Sequence, residues 1–351
     1  MAKRKIKELL ELFLGIDVHK ARWHVTIMTR DVELFSGSIP GEWETLRQIL
    51  DRYKGHRIHA VYEASYSGFW LFDRLVEYGV EAMVTPPSLV PREYGNRVKT
   101  DRRDSRKLAQ LLAKDLLKRV WIPSEEERCH RQVIRRRRQL VRDRVRVQNR
   151  MKAELYFHGF DVSLPRGKWS QEYMERLKAL EFKNRWLKES FQRLLETYEF
   201  LCGQIAKQTQ LVEELSETEL YRERVEILRS VPGIGTLAAM ELLLELQDVS
   251  RFRRAEQLAA YVGLTPSQYS SADHIRMGRI TRIGKNSLRA TLVQASWQLI
   301  TKDGAMREKY ERIKIRSGGK RAIIAIARTL LLRARRLLLS GQPYVVGLAA
   351  G

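Results

Sequence analysis

Apolar and polar positions change rhythm twice along the chain. Leu12 to Asp17 is apolar and closes on an acid. Trp23 to Thr29, with Val25 and Ile27, suits an antiparallel partner for it, and Val32 to Ser36 a third strand. Ile58 to Tyr62 is a short apolar stretch ending at Glu63, Gly68 to Tyr78 carries a helical pattern, and Val80 to Val84 reads as a strand entering Thr85-Pro86-Pro87. Short strands interleaved with helix predict an α/β domain over residues 1–122.

After Trp121-Ile122-Pro123 glycines become rare and the period turns helical. Val133, Leu140, Val147, Met151 and Leu155 form an imperfect seam beneath a run of arginines. A cleaner seam follows at Leu187, Phe191, Leu194, Tyr198, Leu201, Ile205, Gln208, Val212 and Leu215, with spacings of four and three and one polar interruption at Gln208. This predicts a coiled-coil connector over 123–220, folded either as an antiparallel hairpin or as a dimerising stalk, with Gly159 and Pro165-Arg166-Gly167 marking the break. A helical domain is expected over 221–351. In it Pro232-Gly233-Ile234-Gly235 separates helical segments, Thr265 to Lys285 forms a polar loop, and helices cover Ser287 to Ile300 and Ala322 to Leu339.

Charge narrows the partner. The chain holds 65 Lys plus Arg against 42 Asp plus Glu, a formal net charge of +23. Such an excess draws the protein to polyanions: DNA, RNA or an anionic membrane. Arg128 to Lys152 alone carries eleven Lys and Arg and one acid, Asp143, without a strongly apolar face, which favours phosphate backbone over lipid. No apolar run reaches the length of a membrane span, and Glu8, Glu11 and Asp17 interrupt any secretory pattern, so a cytoplasmic location is expected. Cys129 and Cys202 are too few for a disulfide framework and lack the spacing of a zinc site.

Four acids stand where chemistry is possible. Asp17 and Glu63 close two apolar strands, the end of an open sheet that presents ligands. Asp101 and Asp104 are three apart at the start of a helical run, on one face if the helix includes both. Taken singly, Asp101 suits a helix cap and Asp104 a surface partner of Arg103 or Lys107. Asp17 in an apolar strand is costly without a partner. Together the four are able to hold one or two Mg²⁺ ions through oxygen ligands. His19, taken as following Asp17 directly, is expected on the opposite side of the strand and not as a ligand.

Gly15-Ile16-Asp17-Val18-His19-Lys20, Tyr62-Glu63-Ala64-Ser65 and Lys99-Thr100-Asp101-Arg102-Arg103-Asp104-Ser105 resemble the Asp-Glu-Asp-Asp set of a ribonuclease H/RuvC-like domain in insertion-sequence transposases of the IS110 type, relatives of Piv-type DNA invertases. Pro232 to Gly235, Ala259 to Pro266 and Gly278 to Gly284, running on to Leu288-Arg289, carry the likeness through the C-terminal half. The resemblance implies a RuvC-like metal domain at 1–122, the helical connector, and a helical transposase domain bearing a nucleophilic serine. On residues alone, Ser270 and Ser271 are ordinary loop hydroxyls. The family's position, counted from Thr265-Pro266, falls on Ser271; Ala272 stands where a glycine usually follows, so Ser270 remains the alternative register.

The resemblance further implies Mg²⁺-dependent cleavage of double-stranded DNA, strand exchange through a covalent phosphoserine, a bridge RNA guide, and a homodimer or homotetramer. Arg135, Arg136, Arg137 and Arg138 are expected to supply part of the grip on RNA, and Arg142 a further nucleic-acid contact. Arg276, Arg279, Arg282, Lys285 and Arg289 are expected to neutralise phosphate. Gly233 and Gly235 resemble a helix-hairpin-helix turn, whose amides contact phosphate without reading sequence. His274 suits a phosphate contact better than a proton shuttle. Two other readings fit the residues: a metal-only, structure-selective nuclease of the Holliday-junction type, and a non-enzymatic nucleic-acid-binding protein.

Overall fold

The computed structural model describes residues 9–91, 100–161, 163, 169–271, 274–281 and 283–347, and side chains over 269–277 are outside that description. It divides into two compact units, 1–122 and 123–351. The predicted connector and the helices beyond residue 221 belong to the second. Among the described residues, no helix is long and apolar enough to cross a membrane.

The first unit is a five-stranded sheet. Its strands are β1 (Glu11–Val18), β2 (Arg22–Met28), β3 (Glu33–Pro40), β4 (Arg57–Glu63) and β5 (Glu81–Thr85). The order is β3-β2-β1-β4-β5, with β1-β2 and β2-β3 antiparallel and β1-β4 and β4-β5 parallel. This mixed α/β arrangement is consistent with a RuvC-like domain. Between β3 and β4 runs α1 (Trp43–Asp51), a helix the strand pattern had masked, and between β4 and β5 runs α2 (Trp70–Glu77). Alternation sorts the sheet's faces: Leu12, Leu14 and Ile16 join the core that holds Leu46, Leu50, Leu71 and Leu75. Phe13 and Val61 face the opposite side, packing with Ala109 and Leu108 of α3 (Asp101–Ala113).

That second face sets the geometry of the site. A Cβ on Gly15 would stand 2.0 Å from the Ser105 carbonyl oxygen and 2.6 Å from the Ala109 amide nitrogen. Only a residue without a side chain lets α3 lie this close to β1. Ser105, fully buried, ties the helix to β2 through its hydroxyl, 2.8 Å from Thr26 Oγ1 and 2.9 Å from His24 Nδ1.

The second unit opens with α4 (Glu125–Phe157), followed by α5 (Gln171–Lys178) and α6 (Arg185–Ser216). A reciprocal cap between Ser124 and Glu127 starts α4. The helices α4 and α6 pack antiparallel in one chain: Val147, Met151 and Leu155 meet Phe191, Leu195, Tyr198 and Leu201, while Ile134 and Val212 share the cluster at the other end. Of the two alternatives left by the heptads, the chain itself forms the hairpin. Leu195 rather than Leu194 is the fully buried member of the seam, and Gln208 is accommodated by donating to the Val133 carbonyl at 3.1 Å.

Beyond it, α7 (Arg222–Arg229), α8 (Thr236–Leu246), α9 (Ala255–Val262), α10 (Asn286–Lys302), α11 (Gly304–Ser317) and α12 (Gly319–Ser340) build one apolar core. The segment expected to be a loop is instead an antiparallel hairpin, β6 (Pro266–Ser271) with β7 (His274–Ile280). Its polar composition hid the pairing, because β6 has no apolar alternation and that of β7 is limited to Ile275 and Met277. Two glycines close its base: a Cβ on Gly263 (φ +79°) would meet the Ile283 carbonyl oxygen at 2.2 Å, and one on Gly284 (φ +108°) the Tyr261 carbonyl oxygen at 2.5 Å.

Candidate metal centre and nucleic-acid interface

Asp17 is the penultimate residue of β1, and Glu63 ends β4 one step beyond the Ile16–Tyr62 pair. Parallel register therefore puts both acids level, on the face covered by α3. That helix begins at Asp101, with Thr100 as its N-cap accepting from the Arg103 amide. The capping role open to Asp101 thus belongs to its neighbour, and Asp101 and Asp104 both lie in the first turn. Asp17, His19 and Asp101 each offer a ligand atom within 4.8 Å of the others. Glu63 and Asp104 are half-buried and lie outside that group.

His19 departs from expectation. Val18 stands between the two, and alternation carries residues two apart to one face, so His19 lies on the side of Asp17, with Nε2 3.2 Å from Asp17 Oδ2 and 3.6 Å from Asp101 Oδ1. Burial, the largest influence, raises the Asp17 carboxyl above the ordinary carboxylate value; His19 opposes the shift, and Asp101 and Asp104 add to it. Acids that repel one another, one half-buried and one exposed, suit a divalent cation, which neutralises them and takes their oxygens as hard ligands.

In the second unit the expected phosphate contacts divide into two sets. Arg135 donates to both Glu245 oxygens from one guanidinium edge, Nε at 2.7 Å and Nη2 at 2.9 Å, and Lys285 reaches the same carboxylate at 3.2 Å. Arg138 pairs with Glu241, whose other oxygen accepts from Thr291 at 2.9 Å. Glu241 and Glu245 are buried, four apart on α8, and an acid there needs a cation more than phosphate does. Arg137 donates to Thr209 at 2.8 Å. Arg289 donates to the Val262 and Gly263 carbonyls at the end of α9, and thereby fixes the base of the hairpin. These five side chains are half-buried and each is engaged by a partner within the protein. Arg136, Arg142 and Arg279 are exposed.

Gly233 and Gly235 are both exposed in the turn between α7 and α8. Gly233 has φ +92°, and a Cβ there would meet the Ala295 carbonyl oxygen at 2.5 Å, so close packing on α10 requires the glycine as much as the turn does. Ser270 and Ser271 occupy the last two places of β6, in register with Ile275 and His274. Their hydroxyls and the side chains of His274 and Arg276 lie outside the described residues, as does the whole of Arg282.

Residues 225–311 match the Transposase IS116/IS110/IS902 family, and residues 14–158 match the DEDD transposase family of IS110 elements. The second match covers the end of β1, all of β4 and α3, and all four acids. A putative transposase, y4qE, of Sinorhizobium fredii is 28% identical over 345 residues, covering 95% of this chain and 84% of that protein. The transposase for insertion sequence element IS1533 of Leptospira borgpetersenii is 26% identical over 347 residues, 95% of this chain and 97% of its own. The transposase for IS1328 of Yersinia enterocolitica is 28% identical, with 63% of this chain and 64% of that one covered.

Proposed function

The chain belongs to the IS110 family of transposases, and from that premise we propose that it is a Mg²⁺-dependent DNA recombinase working through a covalent phosphoserine under the guidance of a bridge RNA. Family membership supports DNA transposition in general and suggests a divalent metal. The observation that carries the metal part of this reading is the meeting of half-buried Asp17 and exposed Asp101 from separate segments, with Glu63 level on the neighbouring strand, while the serine and the guide rest on the family resemblance. Asp17, Glu63, Asp101 and Asp104 are the proposed ligands. When bound, Mg²⁺ would neutralise phosphodiester oxygens and the charge that develops on them.

Ser271 is the proposed nucleophile, with Ser270 as the alternative register. Its hydroxyl oxygen bonds to phosphorus as one backbone P–O bond breaks; the serine proton passes to solvent, and the departing deoxyribose oxygen takes one up. The ester conserves the bond until a hydroxyl of another strand attacks it and releases the serine. Exposed Arg136 and Arg142 are the proposed grip on RNA, and a dimer or tetramer the proposed assembly.

The test is a labelled DNA substrate incubated with Mg²⁺ and RNA-loaded protein, then denatured and separated by size. Wild type yields a protein–DNA adduct. Ser271→Ala loses it by about 10³-fold or more while binding is retained, and Asp17→Asn lowers cleavage by on the order of 10² to 10³. An adduct lost in Ser270→Ala but kept in Ser271→Ala moves the nucleophile by one residue. Cleavage to free 5′-phosphate ends, with no adduct, points to a metal-only nuclease. Sequencing the RNA that copurifies tests the guide, since a random population is incompatible with it.

A further inference from the structure

One groove of the second unit runs along the foot of the β6–β7 hairpin. Its hairpin wall includes Arg279 and Ile280, and its opposite wall comes from the start of α12, with Lys320, Arg321, Ile324 and Arg328. The lining carries four cations and no acid. Lys320, Arg321 and Arg279 are exposed and Arg328 is half-buried, and among the described residues no ion pair engages any of the four. This sets them apart from Arg135, Arg138 and Lys285, which neutralise buried glutamates. Cations held together from different elements without counter-charge repel one another, and a ligand of opposite sign removes that cost.

We infer that this groove binds the phosphodiester backbone of the DNA strand that the hairpin acts on, with Lys320, Arg321, Arg328 and Arg279 contacting successive phosphates. A polyanion of regular charge spacing satisfies several separated cations at once, where a single small anion would satisfy one or two. Apolar Ile280 and Ile324 leave room against the sugar edges between phosphates. Geometry also ties the groove to the serines. The groove touches β6 at Pro266, and Ser271 lies five residues along the same strand, roughly 17 Å away at the usual rise. A strand seated in the groove therefore reaches the hairpin's far end within about five nucleotides, at 3.4 Å per nucleotide. The inference rests on DNA being the substrate, as proposed above, and not on the identity of the nucleophile.

The experiment measures binding of a fluorescent DNA duplex of mixed sequence to the full-length protein over a range of salt concentrations. Lys320→Gln/Arg321→Gln removes two exposed cations; Lys188→Gln/Lys207→Gln on α6 removes two others and controls for total charge. Circular dichroism melting verifies that both variants fold. The groove variant is expected to bind about tenfold or more weakly and to lower the slope of log K against log salt by about two, with the control close to wild type. An unchanged slope in the groove variant, or an equal loss in the control, overturns the inference. So does a groove variant that loses an RNA duplex but keeps DNA, because the occupant is then RNA. Adduct formation is scored in parallel: a wild type without adduct overturns the phosphoserine reading while the salt slopes still decide the groove.

Discussion

Gly15 shows how much one missing side chain controls. The strand motif makes Asp17 conspicuous, yet Asp17 meets Asp101 only because α3 lies against the backbone of Gly15. In Gly15→Ala the new carbon would press on the Ser105 carbonyl and the Ala109 amide, both main chain, so the helix itself must shift. A loss of about 1–3 kcal/mol is expected, the usual range for overpacking, read from the urea midpoint of the first unit. Metal affinity should fall with it, since Asp101 and Asp104 travel with the helix; wild-type Mg²⁺ titration in this variant would refute the dependence. The acids were legible in the sequence because charge at the end of an apolar strand is costly. His19 was legible by strand alternation, since a residue two beyond Asp17 shares its face, and the expectation of the opposite side leaves out Val18 between them.

Among elements, the pairing of α4 with α8 separates inward cations from outward ones. Sequence presents Arg135 to Arg138 as a uniform basic run, and Leu237 to Leu246 as an apolar one with two acids in it. Those acids, Glu241 and Glu245, fall four apart on one face of α8 and meet arginines three apart on α4. Acids at that spacing inside a buried helix were the signal that some arginines were spoken for. The hairpin escaped notice for the opposite reason, its apolar alternation being limited to Ile275 and Met277 in β7.

Glu245 makes the pairing measurable. Burial would raise its pKa, but Arg135 and Lys285 overcome that and hold it at about 2, against an ordinary 4.5. A depressed carboxylate stabilises the fold above its unfolded value, and that contribution disappears as pH falls from about 4.5 through about 2. It is worth on the order of 3 kcal/mol at neutral pH. Glu245→Gln should therefore unfold at lower urea near neutrality and show a flatter stability profile between pH 4.5 and 2; parallel profiles would refute the assignment.

Across the whole chain, charge and apolar cores are apportioned by unit. Among the described residues each buried hydrophobic cluster draws its members from one unit, with those around β1 and β4 in residues 1–122 and those around α4, α6, α8 and α12 in 123–351. Residues 1–122 carry 22 Lys and Arg against 16 Asp and Glu, whereas residues 123–351 carry 43 against 26. Most of the net positive charge thus lies in the unit that lacks the acidic rim. A fragment of residues 123–351 has a core of its own and is expected to melt cooperatively. It should bind the DNA duplex within about tenfold of the full chain, because nonspecific affinity follows phosphate neutralisation. Cleavage should be absent from it at every Mg²⁺ concentration, since the proposed metal ligands are all in residues 1–122. Circular dichroism melting, the salt dependence of binding and a nicking assay on the same preparation give the three readings. A folded fragment that fails to bind DNA would move the main electrostatic footprint to the other unit; one that binds and still cleaves would sever the acids from the chemistry.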